Sequence, residues 1–192
     1  MKRQLTDAGI THICGSVLNL GYQPDGFESL KALNREALRL REVLGEYYTP
    51  GFHIHPAFVR ESCDEIEFMH SQGVHLIGEL VPYMHAWGEF EEKNWMEIMD
   101  VAEQYHMVCS YWPDMLKAHP NLCLDLSGTG LFRFGMLKYL VQKVGAERIL
   151  FGTDYPICNP RMYVEAVYGE EIKESEREQI FYKNAARLLG LC

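Results

Sequence analysis

Apolar and polar positions follow two alternating patterns along the chain, and each pattern predicts one kind of element. In residues 26–47 an apolar side chain recurs every three or four positions, which is typical of an amphipathic helix. Short apolar runs predict strands at residues 10–20, 51–56, 74–81, 106–111, 121–127 and 148–153. Helical spacing predicts further helices at residues 60–71, 94–105, 131–144 and 170–189. This alternation predicts a parallel sheet with crossover helices, either closed into a barrel or open and doubly wound.

The last predicted strand ends in a carboxylate, in the segment Arg148-Ile-Leu-Phe-Gly-Thr-Asp154-Tyr-Pro156. In an extended strand Leu150, Gly152 and Asp154 share one face. The carboxyl ends of parallel strands are where α/β barrels keep their catalytic groups, so Asp154 is the candidate catalytic residue. The alternative is that Asp154 only caps the turn that leads to the proline.

Composition and charge narrow the class of protein. The 192 residues, 47% of them hydrophobic, suffice for one globular domain over residues 1–192. A formal net charge of -9 disfavours a nucleic-acid partner. The six cysteines form no CxxC pair, and no apolar stretch reaches the length of a membrane span. We therefore expect a cytoplasmic protein without a membrane partner.

Several motifs resemble one family, and together they cover nearly the whole chain. The segments "GAERILFGTDYP" and "NAARLLGL" are similar to the C-terminal part of the amidohydrolase-2 family, the metal-dependent hydrolases and decarboxylases related to aminocarboxymuconate semialdehyde decarboxylase. The segments "LTDAGITHICGSVL", "QGVHLIGEL" and "HPNLCLDLSG" resemble earlier βα units of that family. The resemblance implies an α/β fold, the (β/α)8 TIM barrel, with a divalent metal, zinc, as cofactor. It also implies that Asp154 is both a metal ligand and the base that takes the proton of the attacking water.

The resemblance further implies histidines that have no match here. In the family a His-x-His pair ends the first strand, and single histidines follow the fifth and sixth strands. Without counterparts of these ligands, we expect an incomplete barrel and, in this chain as it stands, little or no bound metal. The join Tyr111-Trp112 is expected to mark omitted residues or a crossover that skips a strand, because only eight residues then precede Pro120.

The segment His53-Ile54-His55 has the spacing of a metal-binding pair. Alternation in a strand puts both imidazoles on one face. The pair comes one βα unit too late in the chain for the family's first-strand ligands, so a structural or substrate-facing role is favoured over a ligand role. His55 lies nearer the carboxyl end of the predicted strand and is the candidate substrate-binding residue of the two.

Three more side chains are candidates for substrate binding. Glu79 ends a predicted strand, where a carboxylate that points into a barrel is costly unless it is paired. It either contacts substrate or is held by a neighbour. Tyr83 and His85 lie in an aromatic loop that either lines a substrate pocket or covers the barrel. Asp125 and Ser127 resemble residues that floor the family's site, and a structural hydrogen-bond role is favoured for them.

Two hypotheses of different class follow. The first is a metal-dependent hydrolase or decarboxylase that acts on a small carboxylate, ester, lactone or amide through metal-activated water. The second is a non-catalytic, incomplete barrel with a binding or structural role, because one carboxylate cannot hold zinc tightly. A small molecule is the expected partner of an enzyme. The aromatic and methionine-containing loop at residues 83–87 is compatible with a homodimer.

Overall fold

The computed structural model describes residues 2–18, 26–78, 92–110, 122–128 and 133–191. The chain divides into two compact units. The middle unit comprises His12–Ser110, and the terminal unit comprises Met1–Thr11 with Tyr111–Cys192. Helix α1 (Lys2–Asp7) belongs to the terminal unit. The join Tyr111-Trp112 lies outside the described residues, so the prediction about it stays open.

The middle unit alternates parallel strands with helices, as the sequence pattern predicts. Its described strands are β1 (Ile13–Gly15), β2 (Tyr48–Phe52), β3 (Leu76–Ile77) and β4 (Val108–Ser110). Its described helices are α2 (Phe27–Leu44), α3 (Val59–Ser71) and α4 (Glu92–Gln104), and a 3-10 turn covers Gly45–Tyr47. Each strand pairs in parallel with the next, β1 with β2, β2 with β3 and β3 with β4. Parallel neighbours need a crossover connection, which explains the helices between them.

Apolar side chains from the sheet and the helices form the core of the middle unit. The fully buried members include Leu30, Phe52, Ile54, Ile66, Met69, Ile77 and Ile98. Gly51 lies in β2 where its two neighbouring strands come close. A Cβ at this position would collide with the carbonyl oxygen of Gly78 and lie 2.9 Å from the carbonyl carbon of Gly15. A larger residue at position 51 would therefore force the neighbouring strands apart.

Strand β2 ends earlier than the sequence pattern predicts, and a helix side chain explains the difference. The expected strand at residues 51–56 lies instead at Tyr48–Phe52. At the next residue, His53, both backbone groups are hydrogen-bonded by the side chain of Asn34 in α2. Its Oδ1 accepts from the His53 N–H at 2.7 Å, and its Nδ2 donates to the His53 carbonyl at 3.1 Å. The chain therefore leaves the strand ladder while its polar backbone atoms remain bonded.

The terminal unit contains the last two described strands and the C-terminal helices. Strands β5 (Leu122–Asp125) and β6 (Ile149–Leu150) pair in parallel. The helices are α5 (Met136–Val144), α6 (Pro160–Gly169), α7 (Glu174–Glu178) and α8 (Asn184–Leu189), with a 3-10 turn at Ala146–Arg148 and a π-helical turn at Gln179–Lys183. Their buried side chains form one core, Leu126, Leu137, Leu140, Ala146, Ile149, Val167 and Ile180. No helix in the described residues is long and apolar enough to cross a membrane.

The C-terminal helical region differs from the predicted one. The expected single helix at residues 170–189 begins only at Glu174, and helix α6 was not predicted at all. The signal for α6 is present in the sequence. Asn159 caps the helix by accepting from the Arg161 N–H at 3.0 Å, and Pro160 fills its first position.

Strand β6 is also shorter than the predicted strand at residues 148–153. After Leu150, the N–H of Phe151 donates to the carbonyl of Ile180 at 3.0 Å instead of extending a strand ladder. The acceptor lies in the π-helical turn, whose wider spacing changes the local hydrogen-bond pattern. Asn184 supports the same strand, since its buried side chain donates to the carbonyls of Ala146 (2.7 Å) and Ile149 (2.8 Å). The C-terminal helix therefore holds the chain that leads to Asp154.

Candidate functional site

Strands β5 and β6 bring two acidic segments together at their carboxyl ends. Asp125 ends β5 and pairs in register with Leu150, the last residue of β6. Gly152 then lies against the Asp125 side chain. A Cβ at position 152 would be 2.6 Å from Asp125 Oδ1 and 3.2 Å from Ser127 Cβ. The glycine of the "FGTD" segment therefore leaves room for a carboxylate from the neighbouring strand.

The Asp125 carboxylate is held by its own loop. Ser127 donates to Asp125 Oδ1 twice, from its backbone N–H at 2.6 Å and from its hydroxyl. Short local bonds of this kind fix an aspartate side chain against the chain that follows it. The hydrogen-bond role expected for these two residues is therefore confirmed. It also fixes the negative charge at the end of β5.

Asp154 has a backbone conformation that is uncommon for a residue other than glycine. Its φ of 54° lies in the left-handed region. Its carbonyl oxygen accepts from the N–H groups of Ile157 at 2.8 Å and Cys158 at 3.1 Å, so its backbone begins a turn around the cis Tyr155-Pro156 bond. The alternation of side chains along a strand therefore stops before Asp154, because β6 ends at Leu150.

The half-buried side chain of Asp154 lies in the electric field of a second acid. Burial raises the pKa of the Asp154 carboxyl above its ordinary value, and the negative charge of Asp125 raises it further. A carboxyl whose pKa is raised in this way is suited to holding a proton. The catalytic and ligand roles of Asp154 stay predictions.

Tyr163 and Cys158 join this cluster, although neither was a candidate from the sequence. Tyr163 of α6 is buried, and its hydroxyl donates to the carbonyl of Gly128 and lies 3.8 Å from Cys158 Sγ. Burial chiefly raises the pKa of the phenol, and the hydrogen bond to Cys158 raises it further, so it remains protonated. The charges of Asp154 and Asp125 act in the same direction. The Asn-Pro cap of α6 was the sequence signal that could have located Tyr163.

The His53 and His55 imidazoles of the middle unit each bond to nearby backbone. Both side chains are buried just beyond the carboxyl end of β2. His53 Nε2 donates to the carbonyl of Val17 at 2.9 Å, and burial lowers the pKa of this imidazole. His55 Nδ1 accepts from the Ala57 N–H at 3.1 Å, which places the proton of the neutral ring on Nε2. These contacts hold both rings in place, and the structural, substrate-facing and ligand roles of the pair stay predictions.

A buried polar network lies beneath the two histidines. Asn34, which bonds the His53 backbone, also donates to Glu65 Oε1 at 2.9 Å. Arg35 contacts both oxygens of Glu65, at 2.6 Å and 3.0 Å. Ser62 Oγ accepts from the His55 N–H at 2.9 Å and donates to the His55 carbonyl at 3.0 Å. The Glu65 carboxylate, 2% exposed, is thus fully partnered.

The remaining substrate-binding candidates, Glu79, Tyr83 and His85, lie outside the described residues. Their roles stay predictions.

The described residues include carboxylates of the kind that a divalent metal would need. Asp125 and Asp154 supply carboxylate oxygens, which hard divalent cations prefer. Across the described part of the chain, however, no three His, Cys, Asp or Glu side chains come together in a way that could hold a metal ion. Tight zinc sites normally use three or more protein ligands. These residues alone therefore do not complete a metal site.

Comparisons with known proteins agree with this fold. The family model described as amidohydrolase (Amidohydro_2) matches residues 110–191. No curated protein matches the chain. Among solved structures, 5-carboxyvanillate decarboxylase from Sphingomonas paucimobilis is similar at 12% identity, with a TM-score of 0.76 over 98% of this chain and 82% of that chain.

Two further structures give the same likeness. Dihydroxybenzoic acid decarboxylase from Polaromonas sp. JS666, solved with bound manganese, has 14% identity and a TM-score of 0.75 over 99% of this chain and 85% of that chain. A TIM-barrel protein from Bordetella bronchiseptica has 19% identity and a TM-score of 0.66 over 99% of this chain and 81% of that chain. At such identities the structural likeness shows the fold alone. The family match covers only the C-terminal part of the chain, and the chain has the α/β fold of a TIM barrel, incomplete in the residues described.

Proposed function

We propose that this chain is an enzyme that acts on a small carboxylate, ester, lactone or amide, with Asp154 as its acid-base residue. The observation that carries the proposal is a pair of carboxylates, Asp125 at the end of β5 and Asp154 in the turn after β6, with the charge of Asp125 acting on Asp154. A structural acid is usually paired with a cation or with hydrogen-bond donors. A second carboxylate nearby instead raises the pKa of an acid, so that its ionised form accepts a proton more readily. This basicity is useful for proton transfer.

The chemistry follows from where the proton is needed. In a hydrolysis, Asp154 takes a proton from the attacking water as the new carbon–oxygen bond forms. In a decarboxylation, the bond to the carboxyl carbon breaks, carbon dioxide leaves, and its electron pair stays on the substrate carbon. Protonated Asp154 then delivers the proton that this carbon requires. The similar decarboxylases favour the second reaction, with a hydroxylated aromatic acid as substrate.

Metal dependence is a separate part of the proposal. When bound, a divalent metal would act as a Lewis acid on substrate oxygen. The manganese bound to the similar dihydroxybenzoic acid decarboxylase supports manganese, while the resemblance in sequence supports zinc. Because the described residues do not complete a site, the proton steps above are assigned to Asp154 alone.

We further propose that His55, Glu79, Tyr83 and His85 bind substrate. For His55 the support is its tautomer, since a proton on Nε2 makes that nitrogen a donor of the kind a carboxylate accepts. His55→Asn keeps an acceptor near the Nδ1 position and removes Nε2. We expect it to raise KM with little change in kcat, and an unchanged KM would remove His55 from the site.

The test of the proposed function is a substrate panel. The full chain is loaded with manganese or zinc, and turnover of 5-carboxyvanillate, dihydroxybenzoates, and a small ester, lactone and amide is followed. Carbon dioxide release separates decarboxylation from hydrolysis. Turnover that is lost in Asp154→Asn supports the proposal, and a panel without turnover by the metal-loaded chain contradicts it.

The alternative is a non-catalytic barrel that binds a ligand or serves a structural role. It is favoured by the absence of a three-residue ligand group from the described residues. Elemental analysis after dialysis distinguishes the two. Stoichiometric metal would contradict the expectation of little or no metal and would support the enzyme, and the first variants would then be made at His53 and His55.

The cellular setting is proposed as cytoplasmic and the assembly as a homodimer. Four described cysteines, Cys14, Cys63, Cys123 and Cys158, are not in disulfide bonds, which fits a reducing compartment. Cell fractionation tests the location, and sedimentation equilibrium tests the dimer. Recovery in a secreted fraction, or a monomer at micromolar concentration, would contradict the respective part.

A further inference from the structure

One buried hydroxyl connects the two loops that carry the acidic residues. The loop that follows Asp125 of β5 contains Ser127 and Gly128, and the loop after β6 contains Asp154 and Cys158. Tyr163, at 2% exposure, donates its hydroxyl hydrogen to the Gly128 carbonyl, and the same oxygen lies 3.8 Å from Cys158 Sγ. A single phenol thus contacts both loops.

In each loop, hydrogen bonds link the residue next to Tyr163 with the acidic residue. Ser127, next to Gly128, holds Asp125 through its N–H and hydroxyl. The N–H of Cys158 donates to the carbonyl of Asp154 at 3.1 Å. A displacement of Gly128 or Cys158 would therefore move one carboxylate relative to the other.

We propose that Tyr163 is a positioning residue that fixes the separation of Asp125 and Asp154 by tying their loops together. The structural part of this inference stands by itself, and its catalytic consequence rests on the proposed function. The phenol is suited to the task because it is neutral. A charged side chain in this place would either repel the two acids or pair with one of them and disturb their mutual field.

The hydroxyl can be separated from the ring. Tyr163→Phe keeps the buried ring, so the core packing of α6 is retained while the contacts to both loops are lost. Tyr168→Phe is the matched control, because Tyr168 lies on the same helix and is 56% exposed. Cys158→Ala removes the contact from the other side, and Cys158→Ser restores a polar partner there.

The first readout needs no activity. The full chain is treated with iodoacetamide, and the alkylation rate of Cys158 is measured by peptide mass mapping, with exposed Cys14 as the internal reference. In Tyr163→Phe we expect the Cys158 rate to rise about 5-fold, the equivalent of one ordinary hydrogen bond, while Tyr168→Phe leaves it unchanged. An unchanged Cys158 rate in Tyr163→Phe overturns the inference, whether or not the chain is an enzyme.

The second readout separates positioning from substrate binding. With a substrate found in the panel, Tyr163→Phe should lower kcat about 10-fold and leave KM nearly unchanged, while the melting temperature falls only by the few degrees that one lost hydrogen bond costs. Cys158→Ala should lower kcat in the same direction, and Cys158→Ser should recover part of the loss. If the alkylation rate of Cys158 rises in Tyr163→Phe but kcat is unchanged in both Tyr163→Phe and Cys158→Ala, the positioning role is overturned. A panel without turnover would count against the proposed function alone, since the alkylation rate still decides whether the hydroxyl ties the loops.

Discussion

The two units place polar residues in corresponding positions, just beyond the carboxyl ends of parallel strands, but satisfy them differently. In the middle unit, His53 and His55 follow β2 and have their backbone bonded by buried side chains, while the carboxylate of Glu65 on α3 contacts Arg35 and Asn34. In the terminal unit, burial raises the pKa of Asp154, and the negative charge of Asp125 raises it further. Position at a strand end is therefore shared by both regions, and only the balance of charge distinguishes a structural network from a candidate catalytic pair.

The largest expected effect is on catalysis. If the acid-base function belongs to the terminal unit, Asp154→Asn should lower kcat/KM for any substrate of the panel by at least about 100-fold, the usual size of a lost acid-base residue. Glu165→Gln, an exposed change on α6, is the control and should retain activity. Comparable activity in the two variants would assign the chemistry elsewhere.

The middle unit should respond in stability rather than in chemistry. Glu65→Ala leaves Asn34 and Arg35 without their buried partner and should lower the free energy of unfolding by about 3 kcal/mol. Asp64→Ala, one residue earlier, removes an exposed pair with Arg60 at 4.0 Å and should change it by less than about 1 kcal/mol. Urea denaturation of both variants checks this, and equal effects would mean that the network contributes nothing beyond a surface pair.

A smaller effect is expected at the contact between β5 and β6. Gly152→Ala places a Cβ 2.6 Å from Asp125 Oδ1, so the carboxylate or the strand must shift, at a cost of about 1–3 kcal/mol. Turnover should fall as well, because the two acids separate. Gly169→Ala, where a Cβ meets nothing within 4 Å, is the control for glycine replacement. Unchanged turnover and melting temperature in Gly152→Ala would show that the two strands adapt without consequence.

The smallest effect is a pH dependence from the middle unit. Burial lowers the pKa of His53 below its ordinary value of 6.5. Below pH 6.5 this histidine is therefore protonated in the unfolded chain but still neutral in the folded chain. Stability should therefore fall as the pH drops from about 6.5 toward the lowered pKa. His53→Gln, which retains a donor for the Val17 carbonyl, should flatten part of this slope. Only a part is expected, because burial lowers the pKa of His12 and His75 too. An unchanged slope in thermal melts between pH 7 and pH 5 would contradict the assignment.

The order of elements could be predicted from the sequence because it depends on local periodicity. The ends of β2 and β6 could not, since contacts from distant residues determine them. The Asn34 side chain hydrogen-bonds both backbone groups of His53, and the Ile180 carbonyl accepts the hydrogen bond from the Phe151 N–H. Helix α6 was missed although its Asn-Pro start is visible in the sequence, because its apolar spacing is interrupted by charged residues.

In the candidate site, too, features that depend on a local motif could be predicted, and features that depend on contacts between distant residues could not. Asp154 could be found because its motif carries a resemblance to the amidohydrolase-2 family. The helix that carries Tyr163 could be located from its Asn-Pro start, but the role of Tyr163 could not, because it depends on the carbonyl of Gly128 in another strand's loop. The charge that Asp125 exerts on Asp154 likewise requires the pairing of β5 with β6, which no single motif encodes.

One measurement tests the contrast between the two regions most directly: the melting temperatures of Asp154→Asn and Glu65→Gln at pH 7 in a chelating buffer. The raised pKa of Asp154 means that its charged form is disfavoured in the folded protein, so the neutral asparagine should raise the melting temperature. Glu65→Gln removes a charge that Arg35 neutralises and should lower it. A melting temperature that falls in both variants would mean that Asp154 is a satisfied structural acid, and would contradict the assignment of the chemistry to the terminal unit.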